Sequence, residues 1–507
     1  MFKLALFDLD DTCFEHSIEK DCYQEVIDYC KTKNINICMK DIMNAKEKAK
    51  NKTPNTVNRL FYFKHLFQSD LNLSLECYKI YWNKFYSSIE PFEGLIEVLE
   101  FFKKYGVKMR ICTNFTLEHQ LEKCKTLKIL SYFEDICTSE ESCVSKPHER
   151  IFKDSIEPYK YDEVCMFGDR IDTDIKGCSY LGIKGFFIGK HKKSLYEEGI
   201  FYFKNWIEIR DFFTIYFNSL ETLIECCKRV GERFDYTQAG GGNVSIKFTY
   251  KEHNFIIIKS SGVSLNEVSF FNGHTLLCNS NICWGKKQSI ETGLHTTCTS
   301  KIVVHCHPIS LVASMCNNEF KTEYPLIPYK PPGEELTNAI IPYKDEPIIL
   351  LRNHGIIYQT NETCLDKLNE VCGFYKEYEL CNTISSKLGG TTILSQLSNR
   401  FDKLIKNNID ICKVITTPDV AVFCGEIIKD DILQSKNTSN IFYINSHIYI
   451  HSPTLKMCKQ IEEVFQFQLM CLETFFIRYD NNIPISLTNI ELYKLQNRDD
   501  EKYRKQI

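Results

Sequence analysis

The sequence predicts an α/β protein made of two successive domains, and three observations carry that expectation. Its 507 residues exceed what one ordinary core accommodates. In the first part, short apolar runs alternate with helical stretches, the pattern of an open, doubly wound parallel sheet. Further on, a Gly-rich turn and a β-branched run ending in alternating histidines open a second α/β unit.

Taken in order, residues 3–9 (Lys-Leu-Ala-Leu-Phe-Asp-Leu) form an apolar run ending in carboxylates, as a central parallel strand does when chemistry sits at its C-terminal end. The stretch 15–92 is polar, aromatic and helical in period, which predicts a helical insert. Strands are then expected at Lys108–Cys112, Glu163–Phe167 and Lys184–Ile188. The rhythm stops around Trp206–Asn218, and a new helix is expected over Ser219–Glu232. The domains are accordingly drawn as 1–214 and 215–490, with 491–507 a charged, fraying tail. Strands of the second domain are expected at Asn254–Lys259, Ile302–His307, Ile348–Leu351 and Ala421–Cys424.

Composition narrows the function classes. A formal net charge of −4 gives no electrostatic case for nucleic acid. No N-terminal signal segment and no apolar run long enough to cross a bilayer is present, so no membrane role is expected. The 25 cysteines are irregularly spaced without a C-x-x-C pair, which fits reduced thiols and a cytoplasmic location rather than a disulfide framework or a zinc ribbon.

Two sets of chemistry-bearing residues follow one another. In the first, Asp8 and Asp10 stand at strand spacing and project to one face. Two close carboxylates split their proton affinities, so one serves as an anionic nucleophile and the other as acid and base. Asp169 and Asp174, in Gly168-Asp169 to Asp174, add hard oxygen ligands for Mg²⁺ beside Asp8 and Asp10. Thr113 offers a hydroxyl and an N–H to a phosphoryl group, and Lys146 a positive charge. Asp11 and Asp172 are either supports for this set or helix caps.

In order, Asp8-Leu9-Asp10-Asp11-Thr12, Thr113-Asn114, Lys146-Pro147 and Gly168-Asp169 to Asp174 resemble the haloacid dehalogenase (HAD) superfamily over about residues 1–210. The insert resembles the helical cap of its C1-type members. The resemblance implies a phosphatase in which Asp8 is the nucleophile, Asp10 the acid/base and Asp169 a Mg²⁺ ligand, with Thr113, Asn114 and Lys146 receiving the substrate phosphate.

In the second set, Ile302–His307 places His305 and His307 on one side of a strand and Cys306 on the other, a core position. Two imidazoles with a third from elsewhere make a zinc site with an open position, and His354 is the third candidate. Glu291 is a candidate proton carrier. Gly240-Gly241-Gly242-Asn243-Val244-Ser245 and Lys259-Ser260-Ser261-Gly262 offer donors for a phosphate.

With Ser289-Ile290-Glu291-Thr292-Gly293-Leu294-His295, Ile327 to Gly333 and Arg352-Asn353-His354-Gly355, this set resembles the class II aldolase/adducin family over about residues 218–450. The form most similar is the long one found in rhamnulose-phosphate aldolases fused to a dehydrogenase. Thr417-Pro418-Asp419-Val420-Ala421-Val422-Phe423 resembles its C-terminal portion. The resemblance implies Zn²⁺ on His305, His307 and His354, Glu291 as acid/base, and Asn243, Ser261, Gly262 and Ser289 near the substrate phosphate. It further implies sugar phosphates as substrates and a homo-oligomer, commonly a tetramer. Ile290 departs from the fuculose-phosphate aldolases, which have a serine there. The same fold serves methylthioribulose-phosphate dehydratases, and adducins that are scaffolds without the metal site. The sequence thus predicts a doubly wound HAD domain with a helical cap, followed by a class II aldolase-like domain.

Overall fold

The computed structural model describes residues 2–52, 58–68, 70–238, 240–372, 376–405, 411–417, 420–429, 440–478 and 486, side chains 376–379, 421 and 422 excepted. The tail 491–507 and Pro418-Asp419 lie outside the described residues. Two compact units are present. The first comprises Met1–Asn218 with the short returns Thr249–His253 and Asn281–Gly285, and the second the remainder. Among the described residues, no helix is long and apolar enough to cross a membrane, and no disulfide is present.

The first unit is built on strands β1 (Leu4–Phe7), β2 (Lys108–Thr113), β3 (Asp135–Thr138), β4 (Val164–Gly168), β5 (Lys184–Ile188), β6 (Tyr196–Glu197) and β7 (Ile200–Phe203). They lie in the order β3-β2-β1-β4-β5-β7-β6 and are parallel except at the β6–β7 edge. The chain builds outward from β1 through β2 to β3, then returns to the other side of β1 with β4. The order reverses between β1 and β4, where the C-terminal strand ends leave a crevice. The insert forms four helices, α1 (Glu19–Thr32), α2 (Met39–Lys52), α3 (Leu60–Phe67) and α4 (Leu71–Ser88). Helices α5 (Leu95–Lys104), α6 (Leu117–Thr126), α7 (Glu149–Ile156) and α8 (Lys176–Ser179) separate the strands.

Aromatic packing fixes β1 beneath this crevice. The Phe7 ring stacks on Phe167 at 5.1 Å and on Trp206 at 5.7 Å, with Phe133 edge-on at 5.5 Å. The Trp206 indole N–H donates to the Thr12 carbonyl at 2.6 Å, tying the loop after β1 to the same core.

Trp206 opens α9 (Trp206–Gly231), one continuous helix where the sequence reading starts a new one at Ser219. Trp206, Ile209, Phe213, Tyr216, Leu220, Leu223, Cys227 and Val230 are buried at three- to four-residue spacing along it, a stripe with no break at Ser219.

In the second unit, β8 (Asn243–Tyr250), β9 (His253–Lys259), β10 (His274–Cys278), β12 (Ile302–Cys306), β13 (Leu326–Ile327), β14 (Ile348–Leu351) and β15 (Gly355–Thr360) run in the order β10-β9-β8-β12-β15-β14-β13, and Asn281–Gly285 is β11. Antiparallel β12 sits between β8 and β15 with His305 opposite Asn243 and Ile357. A further sheet has the order β16-β19-β18-β17, from β16 (Thr391–Leu394), β17 (Ile427–Lys429), β18 (Ile441–Ile444) and β19 (His447–Ser452). The strand expected at Ala421–Cys424 is instead a π-helical turn, Val420–Cys424, closed by the Gly425 N–H on the Val420 carbonyl at 3.0 Å. A short apolar run without alternation suits either state, and burial of Val420 and Cys424 with Ile411 and Phe465 decides it.

Phe7→Ala removes the ring on which Phe167 and Trp206 stack, and large-to-small changes at such sites cost about 3–5 kcal/mol. Denaturant unfolding followed by near-UV circular dichroism is expected to show a loss of that size for the first unit. Exposed Leu117→Ala is expected to change it by less than about 0.5 kcal/mol.

Candidate functional sites

Asp8 follows β1 directly, its N–H donating to the Phe167 carbonyl at 2.9 Å, so its side chain emerges at the crevice. Lys146 Nζ lies 2.6 Å from Asp8 Oδ1 and 2.8 Å from Asp174 Oδ1, with all three side chains nearly inaccessible. The Thr12 hydroxyl donates to Asp169 Oδ1 at 3.0 Å and lies 3.3 Å from Asp8 Oδ2, while the Asp169 N–H donates back to it at 3.1 Å. Asp8, Asp169 and Asp174 thereby bring one oxygen each within 4.8 Å of one another. Burial, with Asp174 alongside, raises the Asp8 carboxyl to about 7 against the opposing pull of Lys146, and burial beside Asp174 raises Asp169 to about 6. Lys146 is held well above the ordinary ammonium range by Asp8 and Asp174, although burial acts the other way. Three converging carboxylates with hard oxygens fit a divalent cation such as Mg²⁺.

The structure places Asp10 apart from that trio. Its carboxylate accepts from Lys123 Nζ at 2.6 Å and Gln120 Nε2 at 3.0 Å. Burial alone would raise Asp10, but Lys123 brings it down to about 2. The two carboxylates of the Asp-x-Asp pair are therefore driven in opposite directions. Gln120 also donates to the Thr113 hydroxyl at 2.7 Å, and Asn114 is spent on Lys146, accepting its N–H at 2.7 Å and donating to its carbonyl at 3.3 Å. Lys123 and Gln120 were missed in the sequence. The available signal was their i, i+3 spacing on the helix that starts just after Thr113-Asn114. Asp11 caps a local turn, accepting from the His16 N–H at 2.7 Å, and Asp172 pairs with Lys176 on the surface.

The second site is held by β12 and by the turn between β14 and β15. Leu351 pairs with Gly355, so Arg352-Asn353-His354 make a three-residue turn in which Asn353 takes a left-handed φ of 57°. This brings His354 beside the end of β12, and His305, His307 and His354 set their ring nitrogens within 4.8 Å of one another. His305 Nδ1 lies 2.9 Å from the Ile356 carbonyl, an acceptor, so Nδ1 donates there and the ring is held with Nε2 toward the other imidazoles. His307 Nε2 is 3.1 Å from that Nε2. Burial, with His305 and His354 nearby, lowers His307 to about 3, which keeps it neutral as a metal ligand must be. Three converging imidazoles, one oriented by a backbone carbonyl, fit Zn²⁺. Cys306 is buried on the opposite side, as its alternation requires.

Glu291 Oε1 lies 3.2 Å from His354 Nε2 and 3.5 Å from His305 Nε2, and Oε2 accepts from Asn243 Nδ2 at 3.1 Å. Burial opposes ionisation, but His305 and His354 hold the carboxyl well below its usual range. Ser289 supports the same group, its Oγ taking the Glu291 N–H at 3.2 Å and lying 3.2 Å from Asn243 Nδ2. Ser261 and Gly262 are exposed in the loop after β9, where the Ser261 N–H donates to the Lys287 carbonyl at 2.9 Å, close in sequence to Ser289. Lys259 Nζ donates to the Gly240 and Gly242 carbonyls at 2.7 and 3.0 Å and so fixes the glycine turn.

Comparison with known proteins agrees with this division. Residues 5–188 match the model of the haloacid dehalogenase-like hydrolases, and residues 221–361 that of the class II aldolase and adducin N-terminal domain. A glyceraldehyde 3-phosphate phosphatase of Methanocaldococcus jannaschii is 31% identical over 199 residues, 36% of this chain and 83% of that protein. A ribulose-1,5-bisphosphate 5-phosphatase of Halopiger xanaduensis is 29% identical over 106 residues, 20% of this chain and 44% of that protein. A solved N-terminal class II aldolase domain from Thermoplasma acidophilum is 20% identical, with a TM-score of 0.26, covering 28% of this chain and 84% of that one. The second part, residues 221–361, carries the match to the class II aldolase and adducin N-terminal domain, and through its first part the chain belongs to the haloacid dehalogenase-like hydrolases.

Proposed function

We propose that this is a bifunctional sugar-phosphate enzyme, with residues 1–214 a Mg²⁺-dependent phosphomonoesterase and residues 215–490 a Zn²⁺-dependent aldolase acting on a ketose phosphate. One observation carries the reading: two separate polar constellations, an Asp8-Asp169-Asp174 trio and a His305-His307-His354 trio with Glu291 beside it, occur in one chain. The names of the phosphatase relatives, which specify glyceraldehyde 3-phosphate and ribulose 1,5-bisphosphate, support small phosphorylated sugars as the substrate class.

In the hydrolase, Asp8 attacks phosphorus as the bond to the leaving oxygen breaks, and Asp10 passes that oxygen a proton. Water then attacks the aspartyl-phosphate, Asp10 takes its proton, and phosphate leaves with Asp8 restored. The phosphate dianion entering beside Asp10 opposes Lys123 and raises the proton affinity of the carboxylate, which suits both halves of that cycle. Lys146 offsets charge on Asp8 and on the phosphoryl oxygens. Bound Mg²⁺ supplies further positive charge to those oxygens.

In the second site, bound Zn²⁺ supplies a Lewis acid for the ketose oxygens. Glu291 moves the proton to or from carbon, and Asn243 and Ser289 set its orientation. Asn243, Ser261, Gly262 and Ser289 are read as the phosphate subsite.

Asp8→Asn in the full chain is expected to abolish phosphate release from a panel of phosphorylated sugars while triose phosphate release persists. Full phosphate release by this variant would refute the nucleophile assignment. After chelation, Mg²⁺ alone is expected to restore phosphatase activity only, and recovery of both activities would refute a transition-metal aldolase.

Glu291→Gln is expected to retain zinc, measured by plasma emission spectroscopy, and to lose about 10²–10⁴-fold in aldol turnover. His305→Ala is expected to lose zinc together with activity. A wild-type chain that holds no zinc, with Glu291→Gln silent across the ketose panel, would favour the scaffold role of adducins.

A further inference from the structure

Outside both constellations, the second unit contains a cavity of about 230 Å³ that neither site uses. Its wall is formed by Glu232 and Phe234 just after α9, by Leu265 in the turn after β9, by Leu394 of β16, and by Lys459 and Glu462 of the helix Leu455–Arg478. Its polar groups are unevenly satisfied. Glu462 Oε1 accepts from the Ser395 hydroxyl at 2.6 Å and the Gln396 N–H at 3.1 Å. Glu232 is only 4% exposed, yet its Oε1 has no hydrogen-bond partner among the described residues. A buried carboxylate oxygen without a donor costs several kcal/mol, so a position like this persists where something that donates is received.

We propose that this cavity binds a small aliphatic ammonium compound, its charged nitrogen on Glu232 and its methylenes against Leu265 and Leu394. Three features select that chemistry. The lining sets two carboxylates against the single ammonium of Lys459, so an anion is repelled. A metal ion has too few ligands, since the carboxylates are not among the groups of three or more metal-binding side chains. Burial raises the Glu232 carboxyl to about 7 despite Lys228 and Ser385, and a cationic donor relieves that penalty more than a neutral hydroxyl does. The apolar part of the wall suits a short carbon chain, and the volume suits a molecule of a few heavy atoms rather than a nucleotide.

The site sits behind the glycine turn of the second constellation. A Cβ at Gly242 would lie 2.8 Å from Thr237 Cγ2 and 3.3 Å from Leu265 Cδ1, so Thr237 and Leu265, both in the cavity wall, also pack against the residue before Asn243.

Isothermal titration calorimetry on the full chain, with butylamine, 1,4-diaminobutane, 1,4-butanediol and succinate as probes, tests the assignment. At least one amine is expected to bind, and the diol and the dicarboxylate are not. Glu232→Gln keeps the shape but removes the charge, and is expected to weaken amine binding at least about tenfold, the worth of one charge-assisted hydrogen bond. Leu394→Trp fills the cavity from its apolar side and is expected to abolish binding, which keeps the test decisive if Glu232→Gln fails to fold. Absence of heat with both amines would overturn the proposal and leave a water-filled void. Amine binding that survives both substitutions, or equal binding of the diol, would overturn it as well.

Discussion

The ammonium of Lys146, 2.6 Å from Asp8 and 2.8 Å from Asp174, is the contact on which the first site depends. Asp8, Asp169 and Asp174 converge because the strand order reverses between β1 and β4, and nothing in the sheet itself compensates their repulsion. Lys146 supplies part of that compensation, and Thr12 joins Asp8 to Asp169 through a single hydroxyl. The aromatic stack of Phe7, Phe167 and Trp206 acts one layer below, holding rigid the strand end and loop from which these groups project. A polar cluster this dense needs such a floor, because each of its hydrogen bonds is lost by a shift of about one ångström.

The second site meets the same demand with hydrogen-bond geometry instead of a counter-charge. His305 is oriented by the Ile356 carbonyl across the β12–β15 ladder, and His354 by a turn that the Leu351–Gly355 pairing closes. Gly355 is obligatory there, because a Cβ would collide with the Cys306 carbonyl. Glu291 comes from a different segment and is held by Asn243, which pairs opposite His305 in the β8–β12 ladder. One strand register therefore sets both the imidazoles and the carboxylate partner.

Much of this was legible in the sequence because local rules govern it. Alternation along a strand puts His305 and His307 on one side, whereas Asp8 and Asp10 follow the end of β1 and each meets its own lysine. The strand ends of the first sheet follow from apolar runs bounded by carboxylates. What was hidden depends on contacts distant in sequence. Lys123 reaches Asp10 across 113 positions, and its burial cannot be seen until α6 is laid over the crevice. The role of Asn114 was equally concealed, since its amide serves the backbone of Lys146 rather than an open position. The π-helical turn at Val420–Cys424 and the unbroken α9 were misread for another reason. Short apolar runs carry no period, and a change of strand rhythm does not interrupt a helix whose buried stripe continues.

The charge balance of the first site has a consequence for the order of events. Asp8, Asp10, Asp169 and Asp174 face two ammonium groups, Lys123 and Lys146, so with all of them ionised four negative charges against two positive leave a surplus of two. Burial raises the proton affinities of Asp8 and Asp169, with Asp174 adding to it, whereas Lys123 holds Asp10 down despite burial. A phosphate dianion entering this crevice meets net repulsion, and Lys146 is already engaged by two carboxylates. Offsetting two negative charges takes one divalent cation, and the oxygens of Asp8, Asp169 and Asp174 are the ones grouped to receive it. On the proposed reading, a cation held there would offset that surplus, favour the ionised form of Asp8 and remove the net repulsion of a dianion. On that reading, charge would favour binding of the cation before that of a phosphorylated substrate.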